Sequence, residues 1–283
     1  MSRILVTGAH GQLGSELKFI STGSTHSFHF VTRSELDITD ESFVTNFFSE
    51  NQFDFVINTA AYTAVDKAES EKDMALSVNG TGVGFLAKAC QQNNIRFIHF
   101  STDFIFDGSL SRPLCEEDIT NPLSVYGASK LEGEMLAVQY CPDALIIRTS
   151  WVYSSFGNNF VKTILRFCKE RESLNIIYDQ IGSPTYARDL AAAVLHIIND
   201  KKWKSGIYNY SNEGVASWYD FAIAIRDLAG FNTIINPIET SQYPTPAIRP
   251  KFSLLNKAKI KQTFDLQIPY WRDSLAECIA LIK

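Results

Sequence analysis

Tyr126 and Lys130 stand four residues apart in the stretch Ser124-Val-Tyr-Gly-Ala-Ser-Lys130. On a helix, residues i and i+4 share a face, so a phenol and an ammonium at this spacing point into one cleft. A free phenol has a pKa of about 10 and gives up its proton reluctantly near neutral pH. A neighbouring ammonium stabilises the phenolate and lowers that value. The spacing therefore predicts a proton donor for the alkoxide that forms when a ketone is reduced. A Tyr/Lys pair at helical spacing also fits a solvated surface, so the meaning of this one depends on the elements around it.

Those elements begin with a short apolar strand, Arg3 to Thr7, that runs into Gly8-Ala-His-Gly11-Gln-Leu-Gly14 and then into an amphipathic segment from Ser15. Strand, glycine turn and helix in this order form the context of a dinucleotide site. Glycines let the backbone approach a pyrophosphate, and the helix N-terminus offers free N–H groups. The spacing is G-x-x-G-x-x-G. A second strand, Phe28 to Thr32, ends at Arg33 without the acidic residue that commonly takes a ribose 2′-hydroxyl. Arg33 then either pairs with a 2′-phosphate, which leans towards NADPH, or faces solvent from a loop. Asp37 and Ile38 are placed to line an adenine pocket, and Thr39 or Asp40 to cap the next helix.

The third strand, Phe53 to Asn58, runs into Thr59-Ala60-Ala61-Tyr62-Thr63, whose small residues would admit a cofactor. A helical segment follows from about Glu71 to Gln92. It carries Asn79, which either braces the sheet or a water, or is a buried amide satisfied by backbone. The fourth strand, Arg96 to Ser101, ends in Ser101-Thr102-Asp103, where a hydroxyl can hydrogen-bond a substrate carbonyl. Asn121-Pro122 is expected to start the helix of Tyr126 and Lys130. Ala144 to Arg148 is the fifth strand, with Trp151 just beyond it. Repeated β-α units imply a parallel sheet with helices on both faces and a ligand crevice at the strand C-terminal ends. Gly8 to Gly14, Ala60 to Thr63, Ser101 to Asp103 and Trp151 all fall at those ends.

Past Trp151 the alternation is expected to lapse. The strands Leu174 to Tyr178 and Ile207 to Tyr210, helices near Arg188 and from Trp218 to Leu228, a proline-rich loop from Gln242 to Pro250 and a last helix from about Arg272 read as a smaller lobe. The expected fold is α/β: a Rossmann-type doubly wound parallel sheet with a smaller mixed α/β substrate lobe. Residues 1–150 are assigned to the dinucleotide-binding domain and 151–283 mainly to the substrate lobe, with an approximate boundary and interleaved lobes. Arg249, between prolines 246 and 250, has two open readings: bidentate contact to a diphosphate, or a salt bridge that pins its loop.

The 283 residues are 45% hydrophobic and 20% charged, enough to bury about three quarters of the unfolded surface. A net charge of -5 offers no broad basic footprint for nucleic acid or an anionic membrane. Five scattered cysteines, none in C-x-x-C, argue against a disulfide framework or zinc site and fit a reducing compartment. The N-terminus has no signal-peptide layout and no apolar run could span a bilayer. A cytoplasmic enzyme is expected.

Taken together, Gly8-x-x-Gly11-x-x-Gly14, Asn58-Thr-Ala-Ala61, Ser101-Thr102 and Tyr126-x-x-x-Lys130 resemble the extended short-chain dehydrogenase/reductases. Ala60-Ala-Tyr-Thr-Ala-Val-Asp66, Ser101-Thr-Asp-Phe-Ile-Phe106, Arg148-Thr-Ser-Trp-Val-Tyr153, Gly157-Asn-Asn-Phe160, Asp179-Gln-Ile-Gly-Ser-Pro-Thr185 and Tyr243-Pro-Thr-Pro246 narrow the resemblance to the dTDP-4-dehydrorhamnose reductase family. It implies NADPH-dependent reduction, with NADH as the other coenzyme, of the C4 ketone of a dTDP-linked 6-deoxyhexose. Tyr126 would give the proton, Lys130 would hold the nicotinamide ribose and lower the Tyr126 pKa, and Thr102 would hold the substrate oxygen with Asp103 beside it. Trp151 would pack on the sugar, and Asn159 and Arg249 fall among the substrate contacts. Gly8, Gly11, Gln12 and Leu13 would meet the pyrophosphate, Asp37 and Ile38 the adenosine, and Ala60, Ala61, Tyr62 and Thr63 the inner side of the cofactor.

Two residues depart from the family pattern. Phe104 follows Ser-Thr-Asp where tyrosine is usual, which removes one hydroxyl. Some members bind magnesium at a homodimer interface through a glutamate on the first helix and another after Ser-Pro-Thr. Glu16 fits the first, but Arg188 stands at the second, and a cation cannot ligate magnesium. That argues against the metal and against a dimer built on it. The alternatives on this scaffold are a reductase of another nucleotide-linked 4-keto-6-deoxy sugar and a non-catalytic nucleotide-binding regulatory subunit. The second is disfavoured because Tyr126, Lys130 and Thr102 are all present.

Overall fold

The computed structural model describes residues 1–200 and 203–282. Six strands make one sheet: β1 (Arg3–Thr7), β2 (Ser27–Val31), β3 (Phe55–Asn58), β4 (Arg96–Thr102), β5 (Leu145–Thr149) and β6 (Gly206–Tyr210). Their order is β6-β5-β4-β3-β1-β2 and every pairing is parallel. The four inner strands are short, rich in β-branched residues, and buried on both faces, as a covered parallel sheet requires, while the edge strand β2 leaves Ser27 and His29 exposed. Alternation along each strand sends its side chains to two separate cores. Ile4, Val6, Ile57, Ile98 and Leu145 meet Leu17 of α1 (Gln12–Ile20) and Leu190 and Val194 further along the chain. Leu5, Val56, Phe97 and Ile146 meet Val44 of α2 (Glu41–Glu50), Leu86 of α3 (Gly82–Gln92) and Ala137 of α4 (Val125–Tyr140).

Several boundaries differ from the sequence expectation for local reasons. Strand β3 begins at Phe55 rather than Phe53, because the Asp54 carboxylate turns back to accept from Arg3 N at 2.7 Å. Strand β4 reaches Thr102, so the Thr102 hydroxyl sits on the sheet itself. Asn121-Pro122 does not start α4. The Ser124 hydroxyl does, accepting from Gly127 N at 3.2 Å, while Asn121 N donates to Ile105 O. Asp40, not Thr39, caps α2, accepting from Phe43 N at 3.0 Å. The segment expected to be one helix from Glu71 to Gln92 contains a π turn at Ser77–Thr81, which carries Asn79.

The chain beyond residue 150 divides between two places. Helix α5 (Phe160–Glu170) builds a third core with Phe221 of α7 (Trp218–Ala229) and Leu275 of α9 (Trp271–Ile282). Helix α6 (Ala187–Asn199), however, covers the first face of the main sheet, and β6 extends that sheet beside β5. Helix α8 (Ala258–Phe264) seals the same face through Ile260 and Phe264. Alternation therefore resumes at residues 187–210. Among the described residues no helix is long and apolar enough to cross a membrane.

Candidate active site

The strand ends open on a cleft of about 780 Å³. Its floor is the turn after β1, and Gly8 has φ +67°, a conformation L side chains avoid. A Cβ there would lie 2.7 Å from Ala60 N, so glycine is what lets the turn and the loop after β3 close on each other. Of the residues expected to meet the cofactor, Gly11, Arg33, Asp37, Ile38, Ala60, Ala61 and Tyr62 line the cleft. Gln12, Leu13 and Thr63 are not on its wall. Leu13 is buried in the core at the start of α1, and Thr63 is exposed beyond Tyr62. Gln12 turns away, with Oε1 accepting from Asn159 Nδ2 at 2.9 Å.

At the end of the cleft beyond β2, Arg33 Nε meets Asp37 Oδ2 at 3.0 Å, and two thirds of the arginine side chain stays exposed. Burial works against the Asp37 charge, but hydrogen bonds from Thr39 and Arg33 outweigh it and hold the carboxyl below its ordinary range. Asn79 resolves to the backbone-satisfied reading. It accepts from Tyr62 N and donates to Tyr62 O, both at 2.9 Å, and donates to Ser129 Oγ at 3.0 Å. This amide ties the cleft wall to α4. An anionic cofactor phosphate fits the N-terminus of α1, where the glycine turn opens on the cleft and no side chain caps the first-turn N–H groups.

Thr102, Asp103, Tyr126 and Lys130 come together where β4 meets α4. Helix α4 begins hard against the turn after β4, because a Cβ on Gly127 would collide with the Phe104 carbonyl. That approach sets Tyr126 beside Thr102, whose hydroxyl is near enough to pull the phenol pKa down. The Phe104 ring packs edge-on to Tyr126 at 5.6 Å, so the departure from tyrosine leaves an apolar wall here. Thr102 Oγ1 also donates to Asp103 Oδ1 at 3.1 Å. Asp103 is buried, and desolvation pushes its pKa up to about 6 despite hydrogen bonds from Ser253 and Thr102.

The expectation that Lys130 lowers the Tyr126 pKa does not hold in this structure. Burial pushes the phenol up to about 12, the Thr102 hydroxyl opposes that, and the Asp103 charge adds to it. Lys130 instead donates from Nζ to Phe100 O at 2.5 Å. Its own pKa is pushed down to about 8 by burial, against the pull of Glu134. Glu134 is locked to Arg148 of β5 through Nη2–Oε2 at 2.8 Å. The phenol is thus held protonated, and the ammonium sits behind it on a buried polar base.

On the substrate side, Trp151 adopts φ +47°, a strained backbone for a bulky residue. Its ring lies flat on Trp218 at 3.7 Å and 11°. Nothing in the local sequence pairs these two indoles, which are 67 positions apart. Asn159 is engaged in the frame: it caps α5 through Lys162 N and donates to Ser154 O and Gln12 Oε1. Arg249 takes the loop-pinning reading, with Nη1 and Nη2 on the two Asp66 oxygens at 3.0 and 2.8 Å. Lys251, by contrast, is largely exposed in the adjoining groove and reaches Asp179 only at 3.8 Å.

Arg188 answers the metal question with a positive contact. Its Nε meets Glu16 Oε2 at 2.8 Å, and Ser154 donates to Glu16 Oε1 at 2.6 Å. The Glu16 carboxylate is fully buried and already neutralised by a guanidinium, so the donor set does not fit magnesium. Among the described residues no group of three or more His, Cys, Asp or Glu could hold a metal ion.

The model of the RmlD substrate binding domain matches residues 1–283. A dTDP-4-dehydrorhamnose reductase of Aggregatibacter actinomycetemcomitans is 44% identical, covering 97% of each chain. The crystal structure of such a reductase from Clostridium acetobutylicum superposes with a TM-score of 0.95 at 40% identity, covering 99% of both chains. The enzyme from Bacillus anthracis in complex with NADP gives the same TM-score at 35% identity and the same coverage. With likeness of this extent reaching from the glycine turn to the last helix, the chain belongs to the dTDP-4-dehydrorhamnose reductase family.

Proposed function

We propose that this chain reduces the C4 ketone of dTDP-4-dehydro-L-rhamnose to the alcohol of dTDP-L-rhamnose with NADPH as reductant. The observation that carries it is the Thr102–Tyr126 hydroxyl pair backed by buried Lys130, in a member of this family. Bound NADPH supplies a hydride. Thr102 Oγ1 holds the ketone oxygen, and Tyr126 Oη gives its proton to that oxygen as negative charge develops. An alkoxide is a far stronger base than a phenolate, so transfer from the raised phenol runs downhill. Stabilisation of this kind acts only as charge appears, so it favours the transition state. Lys130, one helical turn on from Tyr126, would stabilise the resulting phenolate.

The cleft at Gly8, Gly11 and Ala60 would take the pyrophosphate, with Asp37 and Ile38 at the adenosine. The groove of about 430 Å³ lined by Gln180, Tyr243, Arg249 and Lys251 would take the nucleotide part of the sugar. In this reading Trp151 and Asp103 contact the sugar, while Asn159 and Arg249 hold the walls. Five free thiols and NADPH as reductant support a cytoplasmic setting.

The test is consumption of NADPH and of NADH with dTDP-4-dehydro-L-rhamnose. Rapid turnover supports the reading, and none despite tight coenzyme binding would overturn it. Because Arg188 holds Glu16, EDTA is expected to leave the rate unchanged; a rate abolished by EDTA would refute the guanidinium as the only partner charge. Exposed Arg33 is the 2′-phosphate reader in this scheme. Arg33→Ala is expected to raise KM for NADPH about tenfold, the worth of one charge-assisted contact, and to spare NADH. Equal losses with both coenzymes would sink the assignment.

A further inference from the structure

Behind Lys130 a polar ladder runs through the sheet. Thr7, Asn58 and His99 are neighbours in register on β1, β3 and β4, and all three are buried. Thr7 Oγ1 donates to Asn58 Oδ1 at 2.6 Å, and Asn58 Nδ2 meets His99 Nδ1 at 3.1 Å. The orientation of this chain is fixed at one end. Ala60 N–H can only donate, and it donates to Asn58 Oδ1 at 3.2 Å. Asn58 Nδ2 must therefore be the donor to His99, and His99 Nδ1 the acceptor. The imidazole is neutral, because burial and the nearby Lys130 charge both hold its pKa well below the ordinary value. Its single proton then sits on Nε2.

That Nε2–H is fully buried, and no protein atom accepts from it. Ser101 Oγ, two residues along the strand and on the same face, is buried without a partner as well. Lys130 Nζ lies on the carbonyl of Phe100, the residue between them. A buried donor left unpaired costs as much as a lost hydrogen bond, and a small polar site with several partners is where proteins hold ordered water.

We propose that His99 and Ser101 hold one buried water against Lys130, and that this water positions the Lys130 amine and keeps it charged during the reduction. The water accepts from His99 Nε2–H and from one of the two Lys130 N–H bonds that Phe100 leaves free, and it donates to Ser101 Oγ. With His99 donating to it and Ser101 accepting from it, the water keeps a lone pair for Lys130, and a Lys130 N–H donated into that lone pair favours the ammonium. Other charges facing Lys130 are few. Glu134 and Tyr126 share its helix, Arg148 on β5 neutralises Glu134, and Asp103 lies beyond Tyr126. His99 and Ser101 are positioning residues, and their role rests on Lys130 serving turnover as proposed above.

The test uses the NADPH-bound enzyme. A crystal structure at a resolution that shows ordered waters is expected to place one within hydrogen-bond distance of His99 Nε2 and Lys130 Nζ; a clear map without it overturns the proposal. His99→Phe and Ser101→Ala are each expected to move the alkaline limb of the kcat profile about one unit towards acid, because the ammonium loses an acceptor. Coenzyme affinity on the acid side stays at the wild-type value, which general damage to the fold would not allow. Ser101→Ala decides the matter where His99→Phe does not fold, and an unmoved limb in Ser101→Ala overturns the proposal. Lys130→Met separates the two readings. If it turns over normally, the role of Lys130 fails; if it is inactive while Ser101→Ala keeps the wild-type limb, only the water fails.

Discussion

Tyr126→Phe is expected to lose about three orders of magnitude in kcat while binding NADPH as the wild type does. The substitution keeps the ring, and with it the edge-on packing against Phe104 at 5.6 Å. What it removes is the phenol proton that the proposed mechanism delivers to the substrate oxygen. General acid catalysis by a positioned group is worth about 10²–10⁴ in rate, so the loss falls on kcat rather than on coenzyme affinity. Single-turnover NADPH oxidation measures the first quantity, and quenching of tryptophan fluorescence by coenzyme measures the second. Turnover within tenfold of wild type would remove Tyr126 from its role as donor.

The second large effect is on stability. Arg148 and Glu134 are both almost completely buried and share three hydrogen bonds of 2.8–3.2 Å. Arg148 also donates to Glu116 O at 2.9 Å, so one side chain joins β5, α4 and the loop ahead of α4. Arg148→Met leaves the Glu134 carboxylate buried without its cation, which typically costs about 3–5 kcal/mol. For a chain of this size that corresponds to a fall in Tm of roughly 10 °C. Arg148→Met with Glu134→Leu removes both charges, and most of the loss should return, because the desolvation penalty goes with the pair. Thermal unfolding of the wild type, both single variants and the double variant forms the cycle. A single Arg148→Met variant as stable as wild type would show that water reaches the pair.

What the sequence made legible was local. The glycine turn, the strand ends and the Tyr126–Lys130 spacing each lie within a few residues, and the structure brings Gly8, Ala60, Thr102 and Tyr126 to one edge of the sheet. What stayed hidden depends on partners far away in the chain. The Thr7–Asn58–His99 ladder exists only through strand register. Arg249 meets Asp66 across 183 positions, and Arg188 meets Glu16 across 172. Strand β6 carries an ordinary strand pattern, and nothing in that pattern says which sheet it joins. The direction of the Tyr126 pKa was missed for a related reason. Spacing shows that a lysine is near, but only the burial of both groups shows which force wins.

The indoles of Trp151 and Trp218, nearly parallel at 3.7 Å, have an optical consequence. Two identical chromophores this close share their excited states, so their absorption splits into a coupled pair of bands with opposite circular dichroism. The remaining two tryptophans, Trp203 and Trp271, are not stacked on another indole and contribute only a weak background. If the sugar packs on Trp151 as proposed, it would change the angle between the rings, and the sign or size of the couplet would change with it. The stacked pair would then serve as a label-free reporter of sugar binding, readable in solution without coenzyme and without turnover.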